Sequence, residues 1–336
     1  MKNIKKVLGT MLAVAFLAAC LAGCGLFSSG ADAASAQPTT ITSVPTEEAQ
    51  QTAEATIAPT PEPTPEPTPE ITTKLAQLQP KDGYMQVKSL AGIDPWNDKV
   101  VALTFDDGPS PVTTPQLLDI LEKNGVVATF FMLGELVSEN PEIVKRAYDA
   151  GNEIGTHSWD HSNLSKLDLN TIMVDQYGRT NDAIEAATGL RALIDRPPYG
   201  AMNEELAGQI GREQILWSVD PEDWKYKDAD TVYDHVINGW DSGYVADGAI
   251  ILSHDIHQST VDAYDRIIKE LKNEGYKFVT VTQMIQIAEI RGKEIGYRFS
   301  NAPTTEEGKK LVAEAGTSTT AAEEAATYDQ AAYDAA

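Results

Sequence analysis

The stretch "ALTFDDGPS", Ala102 to Ser110, ends an apolar run in two adjacent carboxylates, Asp106 and Asp107, and turns at once through Gly108 and Pro109. The run Val100 to Phe105 has no polar alternation, which suits a strand buried on both faces in a parallel sheet. Like charges held side by side repel. The pair is therefore either solvated and bland or shares its site with something positive.

Outward from this stretch the pattern of apolar run and helical period repeats. Further strands are predicted at Val127 to Met132, Glu153 to Thr156, Leu193 to Asp195, Gln214 to Val219, Ala249 to Ser253 and Lys277 to Val281. Helical segments fill most gaps: "TPQLLDILEKNG" closes on Gly125, "PEIVKRAYDAG" opens on Pro141 and closes on Gly151, and "VDAYDRIIKELKNEG" closes on Gly275. Seven strands alternating with helices predict an α/β fold with a parallel sheet, open or closed into a barrel. In such folds functional residues gather at the C-terminal ends of strands.

Polar clusters stand at those ends. After Asp106 and Asp107 come "HSWDH" (His157 to His161), "RPPYG" (Arg196 to Gly200), "DPEDW" (Asp220 to Trp224) and "SHDIH" (Ser253 to His257). All fall on one rim and together describe a pocket. A metal ion is the positive charge that fits best. If the chain turns helically after the third strand, His157 and His161 project from one face, and an aspartate from a neighbouring strand completes three ligands with a position left open for water. Consecutive residues leaving a strand point to opposite sides, so Asp106 and Asp107 are expected to take different jobs, one on the cation and one on the water it activates. Which does which is left open by the spacing.

"TFDDGPS", "HSWDH", "RPPYG", "DPEDW" and "LSHD", in that order, resemble the motifs of the polysaccharide deacetylases of carbohydrate esterase family four, the NodB-homology domain. The resemblance covers nearly all of residues 97 to 290. It implies a distorted (β/α) barrel and metal-dependent removal of N-acetyl groups from amino sugars, with Zn²⁺ or another divalent cation such as Co²⁺, Ni²⁺ or Mn²⁺. By motif position, Asp107, His157 and His161 would hold the metal and Asp106 would be the general base, oriented by Arg196. Tyr199 would offer its backbone N–H to the oxyanion, and His254, tuned by Asp223, would be the general acid. Sugar contacts would come from Tyr199, Trp224, Trp159 and Leu252; for these aromatic residues and Tyr226, core packing is the competing reading. The peptidoglycan branch of the family is the most similar, so N-acetylglucosamine of peptidoglycan is the expected substrate. Chitin oligomers or acetylated xylan would use the same site, and a wall-binding module without catalysis is the alternative of another class.

Other polar residues have plainer readings. His257 reads as a loop or helix-start residue, His235 as structural or exposed, and Asp160 and Asp220 as turn caps. Asp255 reads as a cap or as support for the site, and Pro197 and Pro198 as stiffeners of the turn that aims Tyr199.

The flanks bound where such a domain works. Of 336 residues, 42% are hydrophobic, and the formal net charge of −24 argues against a nucleic-acid partner. Lys2, Lys5 and Lys6 precede the apolar run "VLGTMLAVAFLAACLAGC", which resembles a bacterial lipoprotein signal over residues 1–24. "LAGC" marks Cys24 for lipidation, with "LAAC" at Cys20 as the alternative, and implies a membrane-anchored protein on the outer face of the cell. Both cysteines lie in this leader, so the exported domain has no disulfide. Residues 25–79, including "TPEPTPEPTPE" at Thr60 to Glu70, read as an extended spacer rising about 3.1 Å per residue. The catalytic domain is expected over 80–296, as a monomer, and a disordered Ala/Thr-rich acidic tail over 297–336.

Overall fold

The computed structural model describes residues 81–241 and 243–315; the leader with Cys20 and Cys24, the spacer and residues 316–336 lie outside the described residues. Seven strands are assigned: β1 (Lys99–Asp106), β2 (Thr129–Met132), β3 (Glu153–Thr156), β4 (Gln214–Ile215), β5 (Ala249–His254), β6 (Tyr276–Phe278) and β7 (Arg298–Phe299). Every strand pairing is parallel. The main sheet runs β3-β2-β1-β5, with β6 pairing the start of β1, and β4 pairs β7. Single bridges close the ring: Asp195 links Thr156 of β3 to Gln214 of β4, and Val219 links onward to Ile251 of β5. The result is the expected distorted (β/α) barrel.

Side-chain parity along β1 explains how the barrel builds its site. Val101, Leu103 and Phe105 pack outward with Leu117, Leu118 and Leu121 of the helix Thr113–Asn124 and with Tyr264 and Ile267 of the helix Gln258–Asn273. Val100 and Ala102 pack into an inner core with Phe131, Ile194, Ile215 and Ile250. Period two then assigns Thr104 and Asp106 to the inner face as well. The helix Thr113–Asn124 ends as its sequence demands, on Gly125 in the left-handed region at φ 59°, where the N–H returns to the last carbonyls.

Four expectations shift. The strand predicted at Leu193 to Asp195 is reduced to Asp195 alone, and the one at Gln214 to Val219 stops at Ile215. The reason is Arg196, whose guanidinium takes the carbonyls of Ile215 (3.3 Å) and Leu216 (3.1 Å) that a neighbouring strand would otherwise use. Val281, predicted to end a strand, opens the helix Val281–Ile290, because Thr280 and Gln283 form a capping box ahead of it. Residues 297–315, assigned to the tail from sequence, belong to the folded unit: β7 inserts Phe299, 1% exposed, into the inner core, and the helix Thr305–Ala315 follows. Buried Arg291 ties this segment down, donating to the carbonyls of Pro95 (2.7 Å), Asp98 (3.0 Å) and Pro303 (2.7 Å) and pairing with Asp247 (3.1 Å).

Candidate active site

Ten residues line a cavity of about 430 Å³ at the C-terminal rim: Asp106, Asp107, His157, His161, Tyr199, Trp217, Asp220, Trp224, Leu252 and His254. The rim is strained in the manner of a working site. Among the described residues, the non-glycine positions with positive φ are Asp107 (73°), Ser158 (71°), His161 (62°), Tyr199 (62°) and Glu222 (52°), and every one lies in a rim motif. Each costs about 1–3 kcal/mol, which the surrounding fold must offset.

The strain at Asp107 corrects one expectation. Strand alternation predicts that Asp106 and Asp107 face opposite sides, but the left-handed turn at Asp107 swings its carboxylate back, so both line the same cavity. Gly108 makes the turn possible: a Cβ there would sit 2.3 Å from Asp255 Oδ2. The histidine segment is likewise a loop, with no helical turn between His157 and His161. His161 N–H donates to Ser158 Oγ at 3.0 Å, and the left-handed residues bring the two rings to a centroid separation of 5.3 Å.

Asp107 Oδ1 lies 3.4 Å from His157 Nε2 and 3.3 Å from His161 Nε2. Among the described residues this trio is the group whose ligand atoms converge, all within 4.8 Å of one another. The chemistry fits a cation. His157 Nδ1 lies 2.8 Å from the Arg196 carbonyl, an acceptor, so Nδ1 carries the proton and Nε2 presents a lone pair. That lone pair faces Asp107 Oδ1, a buried oxygen with no hydrogen-bond donor. Two acceptors pointed at one another are satisfied by a metal ion between them, and three protein ligands of this type leave a coordination position open. Burial pushes the Asp107 carboxyl upward, but the imidazoles around it outweigh that and hold it at about 2. It is an anion at any working pH.

Asp106 is held from behind. Arg196, fully buried, bonds Asp106 Oδ1 and Thr104 Oγ1, both at 2.7 Å, and its guanidinium lies 4.1 Å from the Phe131 ring centroid. Across the cavity Asp223 accepts from His254 twice, from the backbone N–H and from Nδ1, both at 2.7 Å, while Thr260 Oγ1 also donates to it at 2.7 Å. Burial alone would lower the His254 pKa; the hydrogen bond and charge of Asp223, with Asp106 and Asp107, raise it to about 9. His254 therefore stands protonated at neutral pH, with Nε2 as its free donor.

This arrangement of motifs recurs in known proteins. A family model for polysaccharide deacetylases matches residues 94–214. Peptidoglycan-N-acetylmuramic acid deacetylase PdaC of Bacillus subtilis is 43% identical over 218 residues, covering 65% of this chain and 45% of its own. A solved PdaC structure superposes with a TM-score of 0.56 at 41% identity, over 66% of this chain and 99% of that one. A peptidoglycan-N-acetylglucosamine deacetylase of Bacillus cereus is 37% identical over 203 residues, which cover 57% of this chain and 91% of that protein. The chain belongs to the polysaccharide deacetylase family. It spans less than half the length of PdaC.

In this member of the family the structure brings together Asp106, Asp107, His157, His161, Tyr199, Trp224, Leu252 and His254, with Arg196 and Asp223 one layer behind. Tyr199 and Trp224 are exposed, at 66% and 50%, rather than packed into the core. Trp159 is not brought in: Arg179 stacks on its ring at 3.6 Å, and the ring lies so close to Gly134 that a Cβ there would meet it at 2.3 Å. Tyr226 packs edge-on against His235, and His235 stacks on Trp240 and bonds the Pro221 carbonyl at 2.8 Å, so both brace the "DPEDW" loop from outside the cavity. His257 precedes the helix Gln258–Asn273, its ring 6.0 Å from that of His254, outside the cavity lining. Asp160 and Asp220 cap turns as expected, at Ser162 N–H (3.1 Å) and Glu222 N–H (2.8 Å).

Two lining residues went unread in the sequence. Trp217 sat inside a predicted strand, and Asp220 was taken as a cap alone. Their signal was position, since both precede "PEDW" at the end of an apolar run.

Proposed function

We propose that the chain is a metal-dependent hydrolase that removes acetyl groups from the amino sugars of a cell-wall glycan, with N-acetylglucosamine of peptidoglycan as the substrate. The observation that carries this reading is the convergence of Asp107, His157 and His161 between a carboxylate fixed by Arg196 and a protonated histidine fixed by Asp223. Zn²⁺ held by the trio would acidify a water molecule and polarise the acetamide carbonyl. Asp106 takes the proton of the attacking water, and Arg196, bonded to its other oxygen, keeps that carboxylate aimed into the cavity. The Tyr199 backbone N–H supports the developing oxyanion. An amine leaves poorly without a proton, and His254 Nε2 supplies it from the far side. Leu252, Trp217 and Trp224 seat the acetyl group and the sugar face.

Acetylmuramic acid is the second reading, favoured by the likeness to PdaC. Attachment to the outer face of the cell membrane through lipid on Cys24 belongs to the same proposal; its support is the basic and apolar leader ending in "LAGC" and the spacer behind it.

The test incubates the purified full-length chain, metal-stripped or zinc-loaded, with peptidoglycan, chitin oligomers and acetylated xylan, and quantifies acetate. The reading expects zinc-dependent acetate from peptidoglycan, with new free amines on glucosamine residues by mass spectrometry, and a loss of about 10²- to 10⁴-fold in His254→Ala. Free amines on muramic acid select the second reading. Zinc bound without acetate from any glycan overturns catalysis in favour of wall binding.

A further inference from the structure

The helix that begins at Leu169 does not run as a regular α-helix. After one turn (Leu169–Thr171) it passes through a π-helical stretch, Ile172–Gly178, and resumes as the helix Arg179–Thr188. Such widened turns are rare, cost stability and are retained where they place a side chain that an α turn would misdirect. Gly178 permits this one: a Cβ there would lie 2.6 Å from the Met173 carbonyl oxygen, five residues back, so any other residue would press the turn to tighten.

The side chain this turn delivers is Gln176, which is 6% exposed. Its Oε1 accepts the Trp159 backbone N–H at 2.8 Å, and its amide lies beside the Asp160 carboxylate. One carboxamide thus grips two consecutive residues in the middle of the loop whose ends are His157 and His161. The same helix reinforces the grip one residue past the π stretch, where Arg179 stacks on the Trp159 ring. The loop is also held by the N–H groups of Gly134 and Glu135, which donate to the carbonyls of Ser158 and Trp159, both at 3.1 Å.

The His157 side is locked independently, by its backbone N–H on the Met132 carbonyl (2.9 Å) and its Nδ1 on the Arg196 carbonyl. His161, at strained φ, has its backbone N–H on Ser158 Oγ within the loop, and its ring meets Tyr199 edge-on at 4.6 Å. We propose that Gln176, presented by the π turn, is a positioning residue for metal binding: it sets the separation of His157 and His161 and so the affinity of the Asp107–His157–His161 site for a divalent cation. The proposal rests on the metal reading above.

A residue that only supports the fold would stabilise the metal-free and metal-loaded protein equally, leaving affinity untouched. One that pre-sets the ligands changes affinity itself, because without it the loop must be ordered at the expense of binding. Outer partners of metal ligands typically change affinity 10- to 100-fold. Gln176→Met keeps the length and bulk of the side chain and removes the hydrogen bond to Trp159 and the polar contact with Asp160. Gly178→Ala leaves Gln176 in place but opposes the π turn, and alanine is the better α-helix former, so a role in helix stability alone predicts no loss.

The experiment measures the zinc Kd of the full-length chain and both variants by competition with a chromophoric chelator, with the Tm of each protein without and with zinc. The proposal expects zinc binding weakened 10- to 100-fold in Gln176→Met and at least several-fold in Gly178→Ala, with a smaller zinc-induced rise in Tm in both. Wild-type affinity in folded Gln176→Met, whatever its Tm, overturns the proposal. If that variant does not fold, wild-type affinity in Gly178→Ala overturns it. A wild-type chain that takes up no zinc overturns the metal reading itself, whereas normal wild-type uptake with unchanged variants sinks the role of Gln176 alone.

Discussion

Asp106 and His254 are register partners across β1 and β5, the last pair of the parallel ladder. Their parity puts both on the inner face of the barrel, so the proposed base and acid need no loop to find each other. Each is fixed from behind by one buried residue of opposite charge, Arg196 at 2.7 Å and Asp223 at 2.7 Å. The pair is thus as rigid as the sheet, while Asp107 and His161 of the proposed metal trio sit at strained backbone positions beside it.

The first expectation concerns the protonation of His254. Its pKa is raised to about 9, so the charged ring contributes stability that is fully present below about pH 6.5 and is lost as pH rises through about 9. Asp223→Asn removes the strongest opponent of burial, so the pKa must fall. Proton NMR of the metal-free protein reads this directly; a His254 midpoint still near 9 in the variant would rule out Asp223 as its cause.

Arg196 predicts an asymmetry between two neutralising substitutions. Arg196→Met leaves Asp106 buried without its cation and strips the Thr104 hydroxyl and the Ile215 and Leu216 carbonyls of a donor; a loss of about 3–5 kcal/mol is expected in urea unfolding. Asp106→Asn leaves the buried Arg196 charge unpaired but keeps an acceptor for it and all its other bonds, so its penalty should be the smaller of the two, and it should still release no acetate. Equal destabilisation by the two would show that the guanidinium's other bonds carry no weight.

Asp255 should make the metal-free protein acid-tolerant. Burial pushes its carboxyl up, the Thr114 hydroxyl opposes, Asp107 adds to the rise, and the pKa reaches about 7. A folded carboxyl that holds its proton to a higher pH than the unfolded one costs stability as pH climbs from about 4 to about 7, here on the order of a few kcal/mol. Asp255→Asn, which cannot ionise, should flatten that part of the stability curve between pH 4 and 8. A slope unchanged from wild type would mean that Asp255 is ionised throughout.

The C-terminal boundary gives the last expectation. Truncation after residue 296 removes Phe299 from the inner core and the Pro303 carbonyl from Arg291, so the shortened chain should unfold at lower urea with protease-sensitive ends. Phe299→Ala in the full-length chain isolates the core contribution, about 3–5 kcal/mol. A truncated protein as stable as the whole would return residues 297–315 to the status of a tail.

What was legible in sequence was local. Apolar runs ending in Asp106, His157, Arg196, Asp220 and His254 reveal strands and one functional rim, because burial on both faces and abrupt polarity at the strand end are written into consecutive residues. Motif resemblance added roles to those positions. What only the tertiary structure decided depends on partners far away in the chain. Asp107 turns back into the cavity because Gly108 must clear Asp255, 147 residues on. The strand predicted at Gln214 to Val219 stops at Ile215 because Arg196 takes the Ile215 and Leu216 carbonyls that strand pairing would use. Trp159, in a rim motif, faces away because Arg179 and the close backbone of Gly134 hold it. Phe299 is core because β7 finds β4, a pairing that two residues of strand, Arg298 and Phe299, could not announce by periodicity. In each case a short-range pattern was overruled by a contact whose energy exists only once the barrel has closed.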